Sequence, residues 1–181
     1  PATPARSGSR AGLMTDRRVE AHLIPPNGRL PNNGRLPLLV YRGVLDLAGD
    51  PAAGCEALFA RHGWPGAWRN GIFGYDHFHA TMHEVLGVVR GRVRVLFGGE
   101  GALDAEVAAG DVVVIPAGVA HRNLGASPDL LVVGAYPGGG YPDTVTEAGP
   151  DTTARIARVP VPDQDPVYGP AGPLLDHWTA R

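Results

Sequence analysis

The sequence predicts an all-β protein, a small barrel or jelly roll, and three observations carry that prediction. Glycine and proline, 26 and 18 of 181 residues, punctuate the chain every few positions, as many tight turns require. Between them lie short apolar runs at even spacing, the pattern of brief strands. Only one stretch has convincing helical periodicity. A hydrophobic fraction of 44% is ordinary for a globular protein, and 181 residues suffice to bury a proper core as one domain.

The first thirteen residues, PATPARSGSRAGL, are polar and lack the apolar centre of a signal peptide. They are expected to be a disordered or cloning-derived head, with Met14 as a natural start and one domain over 14–181. Residues 14–70 read as an arm and a helix. NGRLP occurs at 27–31 and again at 33–37, too short a repeat for a solenoid, and is read as two local turns. LPLLVYRGVL (36–45) has the pattern of a buried strand. Asp50 and Pro51 mark an N-cap and first helical position, and Gly63 the stop. Cys55, Leu58, Phe59 and His62 share one face of that helix, with Cys55 and His62 as packing residues.

Residues 71–137 form the expected barrel core. HEVLGVVRG and RVRVLFGG read as a hairpin around Gly91, with Val93, Val95 and Phe97 on one face and Arg92 and Arg94 on the other. LDAEVAAGDVVVIPAG adds two strands broken at Ala109–Gly110, and AHRNL and DLLVVGAYPGGG complete the block. Gly138–Gly140 is a turn and not a phosphate loop, because no strand-to-helix transition follows. Residues 138–181 are expected to wrap over the core as an extension, with His177 in that tail and His22 in the arm.

A net charge of −2 with scattered arginines gives no electrostatic footprint for nucleic acid. No apolar run approaches the length of a membrane span. Cys55 is the single cysteine, which excludes an internal disulfide and a cysteine-built zinc site. A cytoplasmic protein is the default expectation.

The chemistry concentrates in HFHATMHE, residues 77–84. On a strand His77 and His79 point to one face, with the Glu84 carboxylate nearby. GDVVVIPAGVAHRN (110–123) supplies a strand, a Pro-x-Gly corner and then His121, which Pro116 and Gly118 swing toward the same interior. His77, His79, Glu84 and His121 make a three-histidine, one-carboxylate set that leaves open positions on an octahedral ion for water, dioxygen or substrate. The competing reading is a polar interior that binds something without metal; burying four such groups uncompensated would be costly. On an unbroken strand His83 would share the face of His77 and His79 and could replace a ligand. Tyr75 and Tyr136 flank strands near the mouth, either as hydrogen-bond partners of a substrate or as core tyrosines with satisfied hydroxyls.

These residues also carry a resemblance. Gly71, five residues, His77-Phe78-His79, four residues, Glu84, six residues and Gly91 resemble the first cupin motif. Gly110, five residues, Pro116-x-Gly118, two residues and His121 are similar to the second. The second motif usually has asparagine where this chain has Gly125, a position that is not a metal ligand in the family; Asn123 lies two residues earlier. LPNNGRLPLLVYRG, HATMHEVLGVVRG, AGDVVVIPAGVAH, LLVVGAYPGG and RIARVPVPDQDPVYGPAGPL together resemble the small bacterial YjlB-like cupins, from about residue 20 to 175.

The resemblance implies a double-stranded β-helix, with one short N-terminal helix and a C-terminal extension. It implies that His77, His79, Glu84 and His121 hold one divalent transition metal, with iron, manganese, nickel and zinc all compatible with mixed imidazole and carboxylate ligands. In the family an irregularity before the glutamate turns it inward, which would leave His83 as a hydrogen-bonding neighbour or a surface residue. The expected function is a small-molecule metalloenzyme, with dioxygenase-type oxidation first and isomerisation, epimerisation or decarboxylation next. Glu84, if loosely ligated, could serve as acid or base. The rivals are a non-enzymatic binding or sensor module, and a storage or stress-related barrel whose metal only stabilises the fold. The expected partner is a small molecule, without nucleic acid or membrane, and the N-terminal arm suits a homodimer.

Overall fold

The computed structural model describes residues 19–179, so the expectations for the first thirteen residues and Met14 lie outside the described residues. Along the chain run β1 (Val19–Ile24), β2 (Asn33–Tyr41), α1 (Pro51–Arg61), β3 (Trp68–Asn70), β4 (Glu84–Arg90), β5 (Arg92–Phe97), β6 (Leu103–Ala108), β7 (Val112–Ile115), β8 (His121–Ala126), β9 (Leu131–Ala135), α2 (Thr152–Ala157) and α3 (Pro173–His177). Strands with no polar face must be covered on both sides, and that requirement sets the layers. β7 is buried throughout and β4 is buried up to its last residue, and both sit inside a six-stranded sheet of order β1-β2-β7-β4-β9-β3. The alternating strands β5 and β6 join β8 in a three-stranded sheet, order β6-β5-β8. Every strand pairing is antiparallel.

One apolar cluster fills the space between the sheets, with Leu38, Val40, Leu86, Val88, Val93, Val95, Phe97, Val113 and Ile115 among its members. A second covers the outer face of the larger sheet, where Leu39, Tyr41, Val85 and Val114 meet Cys55 and Phe59 of α1 and Leu174 and Trp178 near the C-terminus. The all-β jelly roll expected from the sequence is the architecture observed. The tail lends its apolar side chains to the outer cluster. Burial pushes the Cys55 thiol up to about 12, so it acts as a small core residue.

Three local expectations are corrected. β4 and β5 do not form a hairpin: β4 pairs with β7 and β9, and β5 with β6 and β8. The chain changes sheet at Gly91, whose φ of +73° and close approach to Ser127 leave no room for a Cβ. A strand apolar on both faces and one with an arginine face belong in different layers, which the expected hairpin would have merged. The second NGRLP copy is not a turn but the start of β2, while the first is a turn closed by reciprocal bonds between Asn27 and Leu30. Asn33 fixes the difference, accepting from Arg35 and Leu36 N–H and donating to the Ala117 carbonyl. Two short helices, α2 and α3, also form in the tail, where single turns docked on the core outweigh a weak local pattern.

Candidate metal centre

The two halves of the site are joined through backbone before any side chain meets. His77 and His121 exchange N–H···O bonds of 3.3 and 2.9 Å, and Gly118 N–H donates to the His79 carbonyl at 2.8 Å. Gly118 is required at that corner: its φ is +92°, and a Cβ would stand 2.5 Å from the Asn32 carbonyl oxygen. Phe78 turns the other way into a cluster with Ala80, Ala117, Ala120 and Ile156. Strand alternation therefore sends His77 and His79 to the interior together. His121 arrives opposite Phe97 of β5, and Glu84 opens β4 on the same face as Leu86 and Val88.

The side chains converge as the sequence anticipated. His77, His79 and His121 are all buried, and one ring nitrogen of each lies within 4.8 Å of the other two. Each ring is held by a backbone carbonyl at Nδ1: His77 by Tyr75 at 3.1 Å, His121 by Val119 at 3.2 Å, and His79 by Asp143. A carbonyl only accepts, so each Nδ1 carries a proton, which leaves Nε2 as the nitrogen available to a metal. This is the arrangement that readies an imidazole as a ligand. Glu84 is buried, and its Oε2 stands 3.3 Å from His121 Nε2 and 3.5 Å from His79 Nε2 without a hydrogen-bond partner.

The other Glu84 oxygen is accounted for. Trp68 Nε1–H donates to the Tyr136 hydroxyl oxygen at 2.9 Å, which obliges the phenolic proton to point at Glu84 Oε1, 3.1 Å away. Trp68 gains its place because β9 has glycine opposite it: a Cβ on Gly134 would sit 2.1 Å from the indole. Burial and the Glu84 charge push the Tyr136 phenol well above its usual value, so it stays a proton donor.

Burial, helped by the neighbouring His121 ring, lowers His77 to about 4 and keeps it neutral. For His79 burial acts downward, but hydrogen bonding and charge from Glu84, with the Asp143 carbonyl, outweigh it and the value rises. Burial likewise opposes ionisation of Glu84, yet His121 and His79 together hold it below the usual carboxylate range. The three histidines could hold a metal ion; Glu84 Oε2 lies outside that three-residue group but beside two of its members, His79 and His121.

A cavity of about 350 Å³ opens onto these groups. Tyr136 lines it, while the half-exposed Tyr75 does not; its ring stacks on Phe73 at 5.2 Å between centroids. His83 lies outside the histidine cluster. It precedes Glu84 and so faces the other side of the sheet, where Nδ1 accepts from Ala117 N–H and the ring lies 4.7 Å from that of Trp178. It is buried, belongs to neither the ligand set nor its hydrogen-bond partners, and is not a surface residue. Sequence reasoning missed Trp68, Phe73 and Asp143. Asp143 also binds Ala80 and Thr81 N–H through its carboxylate, clamping the segment after His79. No signal in the sequence marked it; the glycine opposite Trp68 was the one available hint.

Two facing antiparallel sheets with a histidine cluster near the mouth define the chain as a cupin, and a cupin-domain family model matches residues 65–133. The chain belongs more narrowly to the YjlB family: it is 38% identical over 166 residues to YjlB of Bacillus subtilis (strain 168), covering 90% of this chain and 98% of that protein. Similar solved structures include acireductone dioxygenase from Bacillus anthracis with a cadmium ion in its active centre. It is 20% identical, with a TM-score of 0.38, covering 49% of this chain and 61% of that one. The 11S allergen from Cocos nucifera is 21% identical with a TM-score of 0.36, covering 44% of this chain and 24% of that one. The chain thus spans less than two thirds of either solved protein.

Proposed function

We propose that the chain is a metal-dependent enzyme acting on a small molecule, with His77, His79, Glu84 and His121 as ligands of one divalent transition ion and oxidation by dioxygen as the reaction class. One observation carries this reading: Glu84 Oε2, buried and without a hydrogen-bond partner, stands 3.5 Å from His79 Nε2 and 3.3 Å from His121 Nε2, two members of the His77/His79/His121 cluster. Leaving a carboxylate oxygen in that state is costly, and a cation between the four groups satisfies them all. Three imidazoles and one carboxylate suit iron, manganese, nickel or zinc, and such an ion supplies a Lewis-acid or redox centre when bound.

The chain's own residues favour oxidation over isomerisation or epimerisation. Beyond the ligand set, the titratable side chains lining the cavity are Tyr136 and Tyr141. The Tyr136 proton is engaged by Glu84, and Tyr141 is 97% exposed at the rim. Moving a proton on and off substrate carbon needs a positioned acid and base, and only Glu84 stands at the reacting end. The same shortage suits the second reading, a binding or sensor protein that performs no chemistry. No helix among the described residues is long and apolar enough to cross a membrane. The N-terminal arm, with β1 at one edge of the larger sheet, is the element we expect to dock in a homodimer.

The test is elemental analysis of protein purified without a histidine tag, wild type beside His79→Ala and His121→Ala. Near-stoichiometric metal in the wild type and its loss in both variants is the expected result. Unchanged metal content in both variants would sink the reading. Oxygen uptake by the iron form with chelating acids, diols or catechols supports the enzyme, and tight binding without uptake supports the sensor.

A further inference from the structure

The walls of the cavity say what kind of molecule it takes. Trp68, Ile72, Phe73, Leu86, Tyr136 and Tyr141 form an apolar and aromatic lining above the histidines, and among the described residues no arginine lines the cavity. The two arginines next in sequence to lining residues are committed elsewhere: Arg69, between Trp68 and Asn70, to Glu56, and Arg122, after His121 on β8, to Asp76 and Glu100. An anionic group on the body of a ligand would leave water here without a counter-charge. Charge can be met only at the cavity floor, where the Glu84 carboxylate stands beside the histidine cluster.

Phe73 is the most defined part of the wall. Although half exposed, its ring is stacked on Tyr75 with planes 12° apart and meets the His77 ring edge-on at 5.0 Å between centroids. Its carbonyl accepts from Asn123 N–H, which ties the segment to β8. A side chain fixed in this way presents a preformed surface at little entropic cost.

We infer that the site selects monoanionic oxygen chelators that carry a flat, apolar body without further charge, and that Phe73 is the residue that reads the body. This rests on the metal-centre reading, with the chelating head at the ion and the body against Phe73. The cavity volume of about 350 Å³ admits one such ring and its substituents. Phosphorylated compounds and dicarboxylates with a charge on the body are excluded by the missing cation.

Three probes sharing one head group test it by calorimetry on cobalt-loaded protein: acetohydroxamate, benzohydroxamate and 4-carboxybenzohydroxamate. A cobalt titration comes first; absence of uptake would overturn both the metal reading and this inference. With uptake shown, benzohydroxamate is expected to bind at least about tenfold tighter than acetohydroxamate. The carboxylated probe should lose about tenfold or more against benzohydroxamate. Phe73→Ala should reduce the ratio of benzohydroxamate to acetohydroxamate affinity by roughly five- to tenfold. Cobalt uptake with a carboxylated probe that binds as well as benzohydroxamate, or with a preference that Phe73→Ala leaves intact, would overturn the inference and leave the metal centre standing.

Discussion

Tyr136→Phe isolates one atom of the proposed centre. The substitution keeps the ring and removes the hydroxyl that stands between Trp68 Nε1 and Glu84 Oε1. A hydrogen bond to a charged group contributes about 1.5–3 kcal/mol, and the 3.1 Å separation to Oε1 argues for the lower half of that range. Most of that loss falls on the metal-free fold, because the bond to Glu84 exists there too. The part that reaches metal binding is orientation: with Oε1 released, the carboxylate can turn Oε2 away from the histidines. Losing such a support typically costs ten- to hundredfold in affinity, and we expect about tenfold here. Competition against a chromophoric chelator for zinc or cobalt gives the affinity, and urea denaturation of the metal-free protein gives the stability. Trp68→Phe should fall between, since it leaves Tyr136 in place but frees its proton to choose another acceptor. A Tyr136→Phe protein that loses stability yet binds metal within about twofold of wild type would refute the reasoning and reduce Tyr136 to a packing residue.

Two further outcomes follow from buried polar groups away from the metal. Asp165 is fully buried and accepts from the Tyr41 hydroxyl and from Val167, Tyr168 and Leu174 N–H. Asp165→Ala orphans these donors and should cost about 4 kcal/mol in urea denaturation. Asp165→Asn keeps one accepting oxygen but turns an amide N–H at Leu174 N–H, and should cost about half as much; equal losses would contradict this assignment. His83 is lowered to about 4 by burial, with the Pro160 carbonyl offsetting and Arg35 adding to the shift. An unfolded histidine takes its proton near pH 6.5 and the folded ring only near 4, so its stability contribution is intact above about 6.5 and declines as pH falls through that window. The decline approaches about 3 kcal/mol by pH 4, and His83→Asn, which can still accept from Ala117 N–H, should flatten it in metal-free protein. An unchanged pH profile in the variant would remove His83 as its source.

The jelly-roll class was legible because turn residues and apolar runs are local properties, and β5, β6, β7 and α1 lie where their patterns put them. Strand partnership was not local. Nothing in RVRVLFGG states that it pairs with β6 and β8 while the strand before it pairs with β7 and β9. The decisive quantity is how many faces each strand must hide: both for β4, one for β5. The two NGRLP copies make the same point with identical residues. Asn27 closes a turn, while Asn33 bonds across to Ala117, so copies with the same propensity diverge because only one lies against the second motif.

The convergence of His77, His79, Glu84 and His121 was legible for a physical reason: the two stretches are short, each fixed by alternation and a corner, and backbone bonds between 77 and 121 and between 79 and 118 join them. The groups that hold the rings came from elsewhere, as Asp143 reaches back from beyond Tyr136 and Trp68 crosses from a three-residue strand. His83 shows why residue type alone misleads. Alternation across β4 allows only one of His83 and Glu84 to face the interior, and the face shared with Leu86 and Val88 goes to the carboxylate. Reversing that choice would put the histidine beside three others and a buried carboxylate against Trp178. The ring that is excluded from the centre instead packs on Trp178, whose indole N–H donates to the Pro37 carbonyl. The same parity that aims Glu84 at the histidines therefore fastens the C-terminal extension to the back of the sheet.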